Sequence, residues 1–415
     1  MARQCRRQLV FSMMVPFVLV AGCGGGGGDV IPPFSLYFSV AVADLNGDSR
    51  LDIASCYTFI AGPPPHPGYV AVNLQDPARP GTFLPATAYS VGNDPVEIAI
   101  GDLNGDGQDD LVTANTVTHV SGIGDRTVSV LLQDGTGTGH FLPATDFHIA
   151  NIPESVAIGD MNDDNLPDLA VGNRGGVSLL FQDPGNPGVF LPETLIDVGG
   201  AVADVAIEDL DGDGLLDLVA SESGDVRVLL QVATAPGTFS GPVIYAAGEQ
   251  PSGVAIADLD GDVRPDLAVA NHGTPSGVDP SVSVLLQNIG APGTFLAATN
   301  YPTMFRPGVV AIADLDGDSR PDLAVSNGGS LSGICPPNCS LLGSVSVLLQ
   351  DPTMPGGYQA ATNYITDDQV LSVTTGDMND DGKPDLVLAY GDGVVIQFQD
   401  PAAAGEFMTA TAIPK

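Results

Sequence analysis

Basic residues are the scarcest feature of this sequence: 13 Lys plus Arg stand against 50 Asp plus Glu in 415 residues, a formal net charge of -37 at pH 7. Only Lys383 and Lys415 are lysines. A surface that reads nucleic acid through its phosphates needs clustered cations, so nucleic acid is excluded as a partner. Tryptophan is absent and aromatics make up 6% of the chain, which leaves few rings for stacking on sugars. Charge as a whole is also sparse, at 15%, whereas 44% of residues are hydrophobic, so the chain has the material for a core and is not a disordered acidic polymer. With 52 Gly and 34 Pro, turns are frequent and long helices are disfavoured.

The N-terminus reads as an address. Arg3, Arg6 and Arg7 precede an apolar run from Leu9 to Val20 that is too short to span a bilayer. Val20-Ala21-Gly22-Cys23 follows and resembles a bacterial lipobox, which implies removal of residues 1–22 and acylation of Cys23. An ordinary secretory signal is the alternative. Residues 23–33, with Gly24 to Gly28, then form a flexible tether, and 34–415 the folded body. Either reading exports the protein, lipid-anchored to the outer membrane or cell surface in the first case and secreted in the second. A membrane contact is expected through the lipid alone, and the body is expected to be a monomer. Cys335 and Cys339 flank Pro-Pro-Asn and are a candidate loop disulfide in an oxidising compartment; three intervening residues do not make the two-residue redox motif. Cys56 ends a strand-like run and is expected to be a small buried apolar residue.

One phrase returns throughout the body. It starts at Asp44 (DLNGDSRLD), Asp102 (DLNGDGQDD), Asp160 (DMNDDNLPD), Asp209 (DLDGDGLLD), Asp258 (DLDGDVRPD), Asp314 (DLDGDSRPD) and Asp377 (DMNDDGKPD). Each copy sits in a longer unit: an apolar strand such as Val254 to Ala257, the acidic loop, a strand such as Asp266 to Ala270, a variable loop, the strand Val282 to Gln287, and an aromatic-led segment from Phe295 to Thr299. Four-stranded units of roughly 50 to 60 residues have the size of propeller blades. A straight stack would expose two apolar ends and need distinct caps, whereas a ring needs none. The expected fold is therefore an all-β, seven-bladed β-propeller. The repeats resemble the FG-GAP or VCBS family, which includes the integrin alpha-subunit propeller and many bacterial surface proteins, over essentially the whole of residues 34–415. Residues Ile31 to Phe38 are candidates for an extra edge strand.

Numbering each loop 1 to 9 places Asp or Asn at 1, 3, 5 and 9. These are Asp44, Asn46, Asp48 and Asp52; Asp102, Asn104, Asp106 and Asp110; Asp160, Asn162, Asp164 and Asp168; Asp209, Asp211, Asp213 and Asp217; Asp258, Asp260, Asp262 and Asp266; Asp314, Asp316, Asp318 and Asp322; Asp377, Asn379, Asp381 and Asp385. Nearly half the acidity of the chain is concentrated in these clusters. Hard oxygen donors on a tight, flexible loop are what Ca2+ takes, and unneutralised carboxylates this close would repel. Position 7 holds Arg50, Gln108, Leu166, Leu215, Arg264, Arg320 and Lys383 with no shared side chain, as a backbone carbonyl ligand predicts. Up to seven Ca2+ ions are expected, as scaffold. Val263, at position 6 of the fifth loop, is the misfit, because a β-branched residue resists left-handed backbone. An EF-hand is excluded, since position 12 of the second loop is Thr113 and its flanks read as strands.

Other recurrent residues read as structure. Phe83, Phe141, Phe190, Phe239, Phe295, Tyr358 and Phe407 are expected between blades, and Gln75, Gln133, Gln182, Gln231, Gln287, Gln350 and Gln399 to hydrogen-bond a turn. No HExxH or GxSxG motif is present and the five histidines do not pair at metal-ligand spacing, so no catalytic residue is assigned. Strand alternation puts the acidic loops on one face and the connections between second and third strands on the other. The latter are long in units 1, 2, 5 and 6, which crowds them into one sector of a closed ring. A protein or polysaccharide ligand is expected on that insert-bearing face. The function this implies is a surface binding or adhesion module; a polysaccharide lyase-type enzyme and a structural envelope component are the alternatives.

Overall fold

The computed structural model describes residues 8–12, 15–20, 34–60, 66–116, 126–273, 279–329 and 342–415. Among them all regular structure is β-strand. Gln8–Ser12 and Val15–Val20 pair as an antiparallel hairpin. Cys23, Cys335, Cys339 and the glycine tether lie outside the described residues.

Each repeat is one four-stranded antiparallel sheet with its strands in chain order, and seven such sheets form the propeller. Blade 5 illustrates the plan with Pro251–Ala257, Asp266–Asn271, Ser281–Leu285 and Thr299–Pro302. Its second strand is buried at every residue, because neighbouring blades cover both faces of the sheet; the fourth strand, at the rim, is largely exposed. First strands of adjacent blades pack on one another and therefore line the axis.

The core lies between blades. Seven apolar clusters occur, each drawn from two neighbours. Between blades 2 and 3, for example, Leu103, Val112 and Val128 meet Leu169, Val171 and Phe190. Burying one such side chain contributes about 1.5–3 kcal/mol, so each blade is stabilised chiefly by its neighbours. The recurrent aromatic packs on the preceding blade: Phe190 meets Phe147 edge-on with ring centroids 5.3 Å apart, and Tyr245–Phe295 repeats the contact at 5.5 Å. The turn before it fits the same gap. Gly293 has φ +73°, and a Cβ there would lie 2.9 Å from Leu230 Cδ1 of blade 4.

Residues 34–38 do not form an extra edge strand. They begin the first strand of blade 1, Phe34–Ala43, which pairs with Asp52–Ile60. Blade 7 completes itself with Thr411–Ala412, so each blade is contiguous in sequence and the ends exchange no strand. Closure instead comes from packing of Tyr37, Ile53 and Phe83 against Met378, Val387 and Ile396. Cys56 is fully buried, with Sγ 3.7 Å from the Pro95 carbonyl oxygen, and burial pushes its thiol far above the usual range.

Candidate metal centres

The acidic loop joins the first and second strands of every blade, and all seven copies share one hydrogen-bond pattern. The carboxylate at position 1 accepts from the backbone N–H groups of positions 5 and 6 in every copy: in the fifth loop Asp258 Oδ1 takes Asp262 N at 3.0 Å, and Gly261 N at 2.8 Å as well, while Oδ2 takes Val263 N at 2.8 Å. Position 3 uses one oxygen, with Asp260 Oδ1 accepting from Asp262 N at 3.1 Å; where this residue is Asn, as in Asn46, the amide oxygen accepts from Asp48 N at 2.9 Å. Position 5 folds the loop onto position 7, Asp262 Oδ1 accepting from Arg264 N at 3.0 Å. The N–H groups are turned inward because positions 4 and 6 are left-handed in every copy, as at Gly261 (φ 81°) and Val263 (φ 71°). Val263 thus adopts the conformation its branched side chain resists, and is 88% exposed.

Position 9 has a different task. Asp266 is buried at the start of the second strand; its Oδ2 accepts from Leu259 N at 2.8 Å and its Oδ1 from Gln287 N at 2.6 Å. Gln287 Nε2 then donates to the Pro265 carbonyl at 3.0 Å and to the Leu210 carbonyl of blade 4 at 2.9 Å. The recurrent glutamine is therefore a latch between blades. Six of the seven make this inter-blade bond, from Gln75, Gln133, Gln182, Gln287, Gln350 and Gln399. Periodicity made these residues visible in the sequence, but only the ring shows that their partner lies in the preceding blade.

These buried carboxyls are held in their neutral direction. Burial, opposed by the two backbone hydrogen bonds and reinforced by the loop carboxylates, pushes Asp52, Asp110 and Asp322 up to about 7. Asp168, Asp217, Asp266 and Asp385 rise to about 6 for the same reasons. At position 3, Asp211, Asp260 and Asp316 are raised as well, by burial first and then by the neighbouring aspartates. A cation in the loop reverses this balance by favouring the ionised forms.

The donor set fits a Ca2+ ion. Carboxylate oxygens of Asp209, Asp211 and Asp217 come within 4.8 Å of one another, as do those of Asp258, Asp260 and Asp262, and of Asp314, Asp316 and Asp322. Oxygens sharing a Ca2+ at 2.3–2.6 Å lie no more than about 5 Å apart. A second observation is the chemistry of position 5. The loop backbone uses one of its oxygens, a role that Asn fills at position 3, yet position 5 is Asp in all seven copies. At position 7, side chains turn to other tasks: Arg50 pairs with Asp380 at 3.1 Å and Lys383 Nζ reaches the Pro401 carbonyl at 3.4 Å.

The opposite face carries the connections between second and third strands. In blades 3, 4 and 7 these are two-residue turns, such as Arg174-Gly175 between Asn173 and Gly176. In blades 1, 2, 5 and 6 they are longer, and residues 61–65, 117–125, 274–278 and 330–341 of them lie outside the described residues.

Comparison with known proteins agrees with this architecture. The family described as FG-GAP-like repeat matches residues 119–171, 160–220 and 209–269. No curated protein sequence matches the chain. Among solved structures, BBS1N in complex with ARL6DN is similar at TM-score 0.51 and 13% identity, covering 91% of this chain and 97% of that one. A lectin from Agrocybe aegerita that recognises non-reducing terminal N-acetylglucosamine is similar at TM-score 0.50 and 17% identity, over 83% of this chain and 87% of that one. The exotype rhamnogalacturonan lyase YesX gives TM-score 0.49 at 14% identity, over 91% of this chain and 74% of that one.

Proposed function

We propose that this seven-bladed β-propeller, which matches the FG-GAP-like repeat over residues 119–269, is an exported binding module whose scaffold is set by Ca2+ and whose ligand docks on the insert-bearing face. The observation that carries the reading is the division of the two faces. One presents seven loops with the same hydrogen bonds, while the other presents connections that range from two residues to long inserts in blades 5, 6, 1 and 2, with blade 7 between them. Uniform, repeated sites suit a scaffold, and variable loops on a rigid scaffold suit recognition.

Ca2+, when bound, supplies positive charge that neutralises each acidic loop. The residues at positions 1, 3, 5 and 9 offer side-chain oxygens to it and position 7 a carbonyl, while position 9 also ties the loop to the glutamine latch. Binding would stabilise the folded state over the unfolded chain, which has no preformed site. Residues 1–22 act as the export signal, Cys23 as the lipid attachment point and residues 23–33 as the tether in this reading, which leaves the body a monomer held off the membrane. Cys335 and Cys339 would close a disulfide within the blade 6 insert. The ligand is a protein or a polysaccharide; the lectin noted above shares the fold, and its sugar is not carried over to this chain.

The test is a pull-down and glycan-array comparison of the wild type with a variant in which residues 61–65, 117–125, 274–278 and 330–341 are replaced by short Gly-Ser turns. Loss of the captured ligand with an unchanged melting curve supports the proposal. Retention of that ligand by a folded variant refutes it.

A further inference from the structure

One side-chain amide touches two acidic loops at once. Gln287 Nε2 donates to the carbonyl of Pro265, position 8 of its own loop, at 3.0 Å, and to the carbonyl of Leu210, position 2 of the loop in blade 4, at 2.9 Å. Position 8 stands between the carbonyl and the carboxylate that positions 7 and 9 offer to an ion, and position 2 stands between the side chains of positions 1 and 3. The amide group has two hydrogens, so each loop receives one. The same fork recurs at Gln75, Gln133, Gln182, Gln350 and Gln399, with bonds of 2.5 to 3.4 Å. Within the receiving loop the path continues, because Leu210 N donates to Asp217 Oδ2, at position 9, at 2.9 Å.

The path has one gap. Gln231 Nε2 donates to the Leu216 carbonyl of its own loop at 2.7 Å, and among the described residues it makes no bond to blade 3. Numbered by blade, the loops therefore form an open chain that starts at loop 4, passes through loops 5, 6, 7, 1 and 2, and ends at loop 3.

We propose that Ca2+ binds this propeller cooperatively, each glutamine amide conveying the ordering of one acidic loop to the loop of the preceding blade. The proposal rests on the reading of these loops as Ca2+ centres. When the Arg264 carbonyl and the Asp266 carboxylate are engaged by an ion, the Pro265 carbonyl between them is fixed. The Gln287 amide is then held in place, and with it the Leu210 carbonyl between Asp209 and Asp211. Ordering accomplished at the first loop is not required again at the second, which binds its ion more tightly. The field of the protein works the other way, since each bound cation makes a chain of net charge -37 less attractive to the next. Salt separates the two effects: at about 0.15 M ionic strength charges more than about 8 Å apart are largely screened, whereas a direct hydrogen bond is not.

The experiment is a calcium titration of the full, metal-free chain against a chromophoric chelator in about 0.15 M KCl. The expected wild-type isotherm has a Hill coefficient of about 2 or more. Loops 3 and 7 supply a matched pair of variants, because both read Asp-Met-Asn-Asp-Asp over positions 1 to 5. Asp381→Asn disables loop 7, in the middle of the chain, and is expected to lower the coefficient as well as the number of sites. Asp164→Asn disables loop 3, at the end, and is expected to remove a site while leaving the coefficient near that of the wild type. Gln75→Met cuts the link between loops 7 and 1 without touching a metal ligand and should lower the coefficient, whereas Gln231→Met cuts no inter-blade bond and should not. Saturable binding with a wild-type coefficient of about 1 or less, equal falls in Asp164→Asn and Asp381→Asn, or an unchanged coefficient in folded Gln75→Met would overturn the coupling while the Ca2+ centres stand. If Gln75→Met does not fold, the two aspartate variants decide. Absence of saturable binding would remove the Ca2+ centres themselves, and the coupling with them.

Discussion

Gln75 Nε2 donates to the carbonyl oxygen of Met378 at 3.2 Å, a bond that spans 303 residues of sequence and joins the first blade to the last. The same amide donates to Leu51 O at 3.1 Å, and Asn73 Nδ2 reaches Pro414 O at 2.7 Å beside it. The seam of the ring thus uses the same latch as five of its six other interfaces. Closure is a property of the repeat, not of a special device at the ends.

Gln75→Ala leaves a buried carbonyl and a buried loop carbonyl without donors, and is expected to destabilise the propeller by about 1–3 kcal/mol. Arg50→Ala removes an exposed pair across the same seam, Arg50–Asp380, and is expected to cost about 0–1 kcal/mol. Thermal denaturation of the two variants, side by side in calcium, checks the order. A larger loss in Arg50→Ala would show that the seam is held electrostatically.

Positions 3 and 9 of the loop are expected to respond differently to amide substitution. Asp266→Asn loses an acceptor for either Leu259 N or Gln287 N, and is expected to destabilise by about 1–3 kcal/mol with or without calcium. Asp260→Asn keeps the one backbone bond and removes a repelling charge, so in chelator its melting temperature should equal or exceed that of the wild type. Melting curves in chelator distinguish the two, and equal losses would contradict the assignment of roles.

Val263→Gly is expected to stabilise by about 1 kcal/mol, because a β-branched residue is held at φ 71° on a side chain that is 88% exposed and contributes little packing. Denaturant midpoints with unchanged slope measure this. A loss of stability would mean that Val263 makes contacts the loop depends on.

Glu97 and Asp204 are partly buried on first strands near the axis, and each accepts a backbone N–H from the next blade, from Val156 at 2.7 Å and Val254 at 2.8 Å. Burial first, then the charge of Asp204, raises Glu97 well above the usual carboxylate range. The folded state therefore holds this proton more tightly than the unfolded chain does. Its contribution is complete below about pH 4 and is lost as pH rises toward and through the raised value. In saturating calcium, Glu97→Gln should melt close to the wild type at pH 5 and above it at pH 8. A difference that does not change with pH would contradict this.

The blade count, the strand order and the site of the aromatic between blades were legible in the sequence because a repeated unit displays its own constraints seven times. The loop alphabet was legible for a physical reason: positions 1 and 9 are always Asp because the fold uses both oxygens, and position 3 accepts Asn because it uses one. Two features were not. Gln75 and Met378 meet only once the ring is closed. Phe34 begins a full first strand because residues 34–38 have Tyr57 and its neighbours to pair with, which local pattern does not reveal.

The most direct test of the account is calorimetric titration of the purified, metal-free chain with calcium, with melting recorded in calcium and in chelator. The account expects several sites per chain and a large fall in melting temperature on chelation, with Asp262→Asn removing one site, since the loop backbone uses Asp262 Oδ1 and the Asp262 carboxylate lies within 4.8 Å of those of Asp258 and Asp260. Absence of saturable calcium binding, or equal melting in calcium and chelator, would contradict the claim that these seven acidic loops are metal centres that hold the propeller.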